Sequence, residues 1–435
     1  MLHLILRALI RGFAPLRSVH IFFIAILFTM TTYAQTPVTI TVGPSNADFI
    51  GSDSLALQKA ADELCRRAQG GNGVLTIQGG VYTMYDSLHI RTPMTVRGSG
   101  ERTILKKCPQ VRSNLTQDFD LSEYVCKVQD PAGLRVGMGV SFKDKKQHDG
   151  WDVSVRTIVG IEGHDVRLDR RPERDYALRD EAWLQNSFPL VSGRNVSNVI
   201  IEDLTVDGNL EENKDIPLDG CRSGGIYLNE AKNCIIRRCI SRNTNGDGIS
   251  WQTTENILVE NCESFGHSGL GLHPGTGSPY TTVRNCKAHH NGRDGLYLCW
   301  GVRHGRFEHN VLEDNNNYGI SIGHKDTDNL FLANTVRRNA VAGVAFRNDP
   351  VTTAGHRCTL KENVIEDNGR AGKGGIGVLI NGETTGTVLE FNTIRDTRPE
   401  SERTQKTAIE IGPKAEAPVT ESNNRIDGTL KSHVK

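Results

Sequence analysis

Seven short segments decide the fold: GGIYL around Gly225, DGISW around Gly248, SGLGL around Gly269, DGLYL around Gly295, YGISI around Gly319, AGVAF around Gly343 and GGIGV around Gly375. Successive glycines lie 23, 21, 26, 24, 24 and 32 residues apart. A period of that size marks a repeat architecture, in which one unit cannot bury its own apolar side and stacked units can. Between the glycines a second signature recurs: an apolar residue, two variable ones, then Cys or Asn. It reads Ile236/Cys239, Val259/Cys262, Val283/Cys286, Phe307/Asn310, Phe331/Asn334, Leu360/Asn363 and Leu389/Asn392. Two residues further on stands Ser241, Ser264, Ala288, Leu312, Val336, Ile365 or Ile394. Each repeat therefore reads as three short strands with period-two alternation, broken by turns. Stacked rungs let every strand pair with its copies about 4.8 Å above and below. The asparagines then form a column whose side-chain amides can satisfy one another. Cys239, Cys262 and Cys286 share that column as small interior residues, not as redox or metal groups.

These repeats resemble the pectate-lyase-like right-handed parallel β-helix superfamily of exported bacterial polysaccharide-processing proteins, over roughly Pro44 to Gly428. The amino-terminal end strengthens the resemblance. Leu57, Ala60, Ala61, Leu64, Cys65 and Ala68 form an apolar helical stripe, followed by GGNGVLTIQGGVYTM, where Gln-Gly-Gly replaces the usual Pro-x-Gly turn. The fold class implied is all-β, a coil of three strands per rung with a capping helix at its start. Between Cys126 and Tyr176 the period is lost, and alternating runs read as a β-hairpin insertion. Residues 35–428 are expected to form the coil and 429–435 a flexible tail.

With 435 residues and 37% hydrophobic content, the chain can bury a large core. Lysine plus arginine equals aspartate plus glutamate at 51 each, so no overall field favours nucleic acid or an anionic membrane. Arg7, Arg11 and Arg17 precede an apolar run from Ile21 to Phe28 and then Thr32-Tyr33-Ala34. This is the pattern of a secretory signal peptide cleaved after Ala34, and the run is short for a membrane span. The mature chain is expected in the periplasm or outside the cell, as a monomer.

Chemistry is expected on the outward residues of the glycine-led strands: Tyr227, Asn229, Ser250, Gln252, Gly271, His273, Tyr297, Cys299, Ser321, Gly323, Ala345 and Arg347. Ile249, Trp251, Leu270, Leu272, Leu296, Leu298, Ile320, Ile322, Val344 and Phe346 alternate with them into the core. The turns that follow lengthen on four adjacent rungs and bring Trp300, His304, His324 and Lys325 to the same side. Insertions in a solenoid cluster on its working face. Two chemistries fit a polysaccharide there. Elimination on a uronic-acid glycan needs a base beside the carboxylate and cations to neutralise it, a set that Arg347, Lys325, His273 and His324 supply. Hydrolysis needs two carboxylates; Asp247 and Asp294 hold equivalent positions two rungs apart, about 9.5 Å by strand spacing. Tyr297, Trp300, His304, Gln252 and Asn229 are the expected sugar contacts. The resemblance implies lyase chemistry, often with calcium, for which Asp326, Asp328 and Asp349 are the candidate oxygen ligands. Elimination is favoured, since cations outnumber paired carboxylates. A non-catalytic glycan-binding protein with the same coil is the third possibility, because fold does not decide function.

Overall fold

The computed structural model describes residues 37–91, 93–146, 153–214, 220–415, 419–427 and 430–434. The signal-peptide segment lies outside these residues. Helix Ser54–Ala68 opens the coil, with Asp53 as its N-cap accepting a 2.9 Å hydrogen bond from the Ala56 N–H. Its buried face, Leu57, Ala60, Ala61 and Leu64, belongs to the main core and closes the first rung. Without that cover the first rung would expose both its apolar interior and its unpaired strands.

Three columns of parallel strands follow. One runs Ile236, Val259, Val283, Phe307, Phe331, Leu360, Leu389 through the register pairs. The second runs Ser241, Ser264, Ala288, Leu312, Val336, Ile365, Ile394. The third, eleven strands long, carries the glycine-led segments. Two rungs differ from the sequence reading. Ile249 pairs with Leu272 and Val344 with Val378, so the ladder glycines are Gly271 and Gly377, not Gly269 and Gly375. SGLGL and GGIGV each offer two glycines two residues apart, and a two-residue slip preserves alternation, so periodicity could not choose between them. With the correct register Leu270 falls in the turn before its strand, at the position of Asp247 and Asp294. It is buried, but outside the main core.

The asparagine column forms as expected. Asn310 Nδ2 donates to Asn334 Oδ1 at 3.0 Å, Asn334 to Asn363 at 3.0 Å, Asn363 to Asn392 at 2.9 Å and Asn392 to Asn424 at 3.0 Å. A second column, at a turn the sequence reading did not single out, runs Asn291, Asn315, Asn339, Asn368, Gln405 with links of 2.9 to 3.1 Å. Cys239, Cys262 and Cys286 are buried in the main core, and no disulfide joins any of the ten cysteines.

The inserted sheet is antiparallel, and it is wider than 126–176. Arg112–Asn114 pairs with Trp183–Gln185, which closes a six-stranded sheet around its own core of Phe119, Phe142, Tyr176 and neighbours. That closing pair joins strands about seventy residues apart, so no local pattern announces it. No helix of the described residues is long and apolar enough to cross a membrane.

Candidate active site

On the outer face of the third sheet, Ser192, Tyr227, Ser250 and His273 stand in register on successive rungs. Leu272 pairs with Leu296, which puts Tyr297 on the rung after His273, followed by Ser321 and Ala345. These residues face outward as expected, but most are covered: Tyr227, Asn229, Ser250, Gln252, His273, Ser321 and Ala345 are all buried. The Cys221 turn packs on His273 and the Arg347 guanidinium on Tyr297, over a face that strand alternation alone presents as open.

Asp247 comes from the turn before Gly248, where its N–H donates to the Gly220 carbonyl at 2.8 Å. The turn is tight. A Cβ at Gly220 would lie 2.6 Å from Asp247 Oδ1, and one at Gly269 2.5 Å from the same oxygen, so both positions need glycine for close approach. Oδ1 accepts the Leu270 N–H at 3.0 Å, and Oδ2 lies 2.8 Å from His273 Nδ1. The Cys221 sulfur completes the group, 3.4 Å from Nδ1 and 3.6 Å from Oδ2. Gln252 orients against it: its Oε1 accepts the Thr276 N–H at 2.7 Å, and its Nε2 donates to the Cys221 sulfur at 3.1 Å. Tyr297 meets the His273 ring edge-on with centroids 5.4 Å apart, and the Arg347 guanidinium lies 4.5 Å above the Tyr297 ring.

Electrostatics follow from this packing. Burial opposes a charge on His273, but the Cys221 sulfur and the Asp247 carboxylate outweigh it and hold the imidazole well above its ordinary value. Burial likewise opposes ionisation of Asp247, and the His273 hydrogen bond and charge bring it below the usual carboxylate value. Cys299 faces the same imidazole; burial raises its thiol, and the His273 bond and charge more than reverse that. The phenol of Tyr297 is pushed up by burial, with Arg347 acting the other way.

The remaining expected residues divide into groups with other duties. Asp294 does sit two rungs from Asp247, but Leu270 lies between them in the column. Its Oδ1 accepts the Tyr318 N–H at 3.0 Å and the Asn317 amide at 2.7 Å, and burial pushes its carboxyl up. Arg347 was expected as an exposed cation and is instead half-buried. It donates to the Leu298 and Cys299 carbonyls at 2.8 and 3.0 Å and to Ser321 Oγ at 3.1 Å. Its guanidinium braces the strand that carries Tyr297. Lys325 is exposed in a turn at φ 68, and no contact joins it to His273. His324 stacks on Trp300 at 3.9 Å, and His304 on Tyr280 at 5.4 Å, so the aromatic residues form a separate platform along the turns. The three candidate calcium ligands turn to different partners: Asp326 to Arg347, Asp328 to Arg357, Asp349 to His324. They do not form a metal-holding group; among the described residues that group is Cys221, Asp247 and His273.

Sequence reasoning missed Cys221, which lies in a short turn, Cys221–Ser223, outside the repeat. It also missed a cleft of about 680 Å³ between the inserted sheet and the first rungs of the third sheet. Arg91, Arg156, Arg170, Arg194 and Arg222 line it, together with Tyr227 and Asn229 of the same face that carries His273. The insertion supplies Arg156 and Arg170 to it.

A model of the family described as "Right handed beta helix region" matches residues 190–354. The A-module of the mannuronan C-5 epimerase AlgE4 of Azotobacter vinelandii superposes with a TM-score of 0.51, covering 90% of this chain and 99% of that one at 14% identity. The fold is a right-handed parallel β-helix. Among sequence relatives of this β-helix, mannuronan C5-epimerase AlgE3 of A. vinelandii is 29% identical over 170 residues, which is 38% of this chain and 8% of that protein. AlgE5 of the same organism is 26% identical over 300 residues, 69% of this chain and 21% of that protein. The chain thus spans less than a quarter of the length of these curated relatives.

Proposed function

We propose that the β-helix processes a uronic-acid polysaccharide by moving the proton at C5 of the sugar, with inversion at that carbon as the outcome. The observation that carries this reading is the set His273, Asp247 and Tyr297, two proton-carrying rings packed edge to face on the outer face of the sheet with a carboxylate behind one of them. The relatives named above, all mannuronan C5-epimerases, support the substrate class.

Removing the C5 proton leaves an electron pair that spreads into the C6 carboxylate, so the step needs a base and a positive partner for that carboxylate. Asp247 keeps a proton on His273, which suits the imidazole to neutralise the carboxylate and to return a proton. Tyr297 takes the outgoing proton as its phenolate, its own proton having left to solvent and the Arg347 guanidinium 4.5 Å over the ring favouring that charged form. Return to the opposite face of C5 inverts the centre; loss of the bond from C4 to oxygen instead would give elimination. The two outcomes share their first step, which is why cation-rich residues pointed to a lyase. The cleft sets five arginines against Asp86, Asp169 and Glu173, a local excess of positive charge for a polyanion in a chain of zero net charge. Export through the amino-terminal segment belongs to the same reading, since such a polymer lies outside the cytoplasm. Calcium has no carboxylate cage among the described residues, and no step is assigned to it.

The test is incubation of the purified protein with polymannuronate in D₂O, followed by NMR. Solvent deuterium at C5 with inverted configuration is the expected result. An unsaturated uronate without inversion would indicate elimination, new reducing ends without either would indicate hydrolysis, and an unchanged polymer would favour a binding protein.

A further inference from the structure

We infer that Cys221, Asp247 and His273 form a binding site for a borderline-soft divalent metal ion of the zinc type. The inference goes beyond the C5 reading and does not depend on it. The three ligand atoms come from three separate segments, all are buried, and they converge on one point outside the main core. A tetrahedral zinc ion with ordinary bond lengths holds sulfur about 3.5 Å from its nitrogen and oxygen neighbours, and nitrogen about 3.3 Å from oxygen. Here sulfur lies 3.4 Å from Nδ1 and 3.6 Å from Oδ2. Nδ1 and Oδ2 are 2.8 Å apart, so that pair alone must open, by about half an ångström, as an ion replaces the proton between them.

The donor chemistry selects the ion. One thiolate, one imidazole and one carboxylate suit zinc or cobalt and are poor ligands for calcium, which takes oxygen alone. Hydrogen bonds already fix the ligands. Leu270 N–H holds Asp247 through Oδ1 and leaves Oδ2 turned to the site, and Gln252 orients the sulfur. Three protein ligands leave a fourth tetrahedral position for water or a carboxylate oxygen, the pattern of an open zinc site.

The full-length protein, purified under reducing conditions and stripped with a chelator, is titrated with Co²⁺. The expected result is one equivalent bound per chain with a thiolate-to-cobalt charge-transfer band. Cys221→Ser should abolish that band and weaken binding at least a hundredfold, His273→Gln should weaken it similarly, and Cys65→Ser on the capping helix should change neither. Where Cys221→Ser does not fold, X-ray absorption of the zinc-loaded wild type decides: one sulfur in the shell supports the site, and a shell of nitrogen and oxygen alone overturns it. Absence of saturable binding by the wild type, or a band that survives both variants, also overturns it. C5 exchange measured separately on stripped and loaded protein keeps the two readings apart. Exchange without metal binding removes this inference only; metal binding without exchange in either form removes the C5 reading only.

Discussion

Replacing Asp247 by Asn changes one atom of the carboxylate and tests the proposed proton chemistry directly. The amide oxygen can keep the Leu270 N–H bond now made at 3.0 Å, which places the new NH₂ about where Oδ2 stands, 2.8 Å from His273 Nδ1. Two donors cannot share that contact, so the imidazole gives up its Nδ1 proton and its charge. One charge-assisted hydrogen bond becomes a neutral one, a loss of about 1 to 2 kcal/mol in stability. The effect on turnover is larger, because the group that neutralises the sugar carboxylate and returns the proton is gone. A hundred- to ten-thousandfold fall in kcat is expected, about 2.7 to 5.5 kcal/mol of barrier, with KM little changed. The variant should also flatten the pH dependence of stability. The raised His273 value contributes fully below the pKa of a free histidine, and that contribution is lost as pH rises through the folded value. The lowered Asp247 value contributes fully above the pKa of a free aspartate and is lost as pH falls through its folded value. Stopped NMR time courses of C5 exchange and melting curves across pH measure both. Asp247→Asn with wild-type turnover would refute the assignment of His273 and Asp247.

Asn334→Ala removes an amide that donates to Phe307 O and Asn363 Oδ1 and accepts from the Asn310 N–H and Nδ2; denaturant unfolding should show a loss of about 1 to 3 kcal/mol. Arg194→Ala combined with Arg222→Ala should raise KM for a polyuronate about tenfold and weaken its salt dependence, with kcat held, if the cleft guides the polymer. Lys325→Ala should leave turnover within twofold, whereas Arg347→Ala should lower both melting temperature and turnover, since it strips donors from two part-buried carbonyls and the brace from Tyr297.

The coil was legible because each of its features repeats: the apolar-x-x-Asn signature falls on the same register position rung after rung. Where a segment carried two glycines, the repeat could not select the ladder position, and Leu270 was misplaced for that reason. His273, Asp247 and Tyr297 were legible as outward or turn residues of adjacent rungs. The burial of His273 and Asp247 was not, because the segment of Gly220 and Cys221 that packs on them carries no period. Cys221 lies 26 residues from Asp247 and 52 from His273 in a stretch without pattern, and only the coil's return brings them together. Arg347 read as a surface cation because nothing in the sequence shows that carbonyls two rungs back occupy its guanidinium.

The most direct test of the central claim is the isotope fate at C5 of polymannuronate incubated with the wild-type protein in D₂O. The account predicts deuterium at C5 of residues with inverted configuration, and loss of that signal in His273→Gln and Tyr297→Phe variants that still melt cooperatively. A polymer that is inverted or cleaved by the wild type with its C5 protium retained would contradict it, since the chemistry would then bypass the proton that His273 and Tyr297 are placed to move.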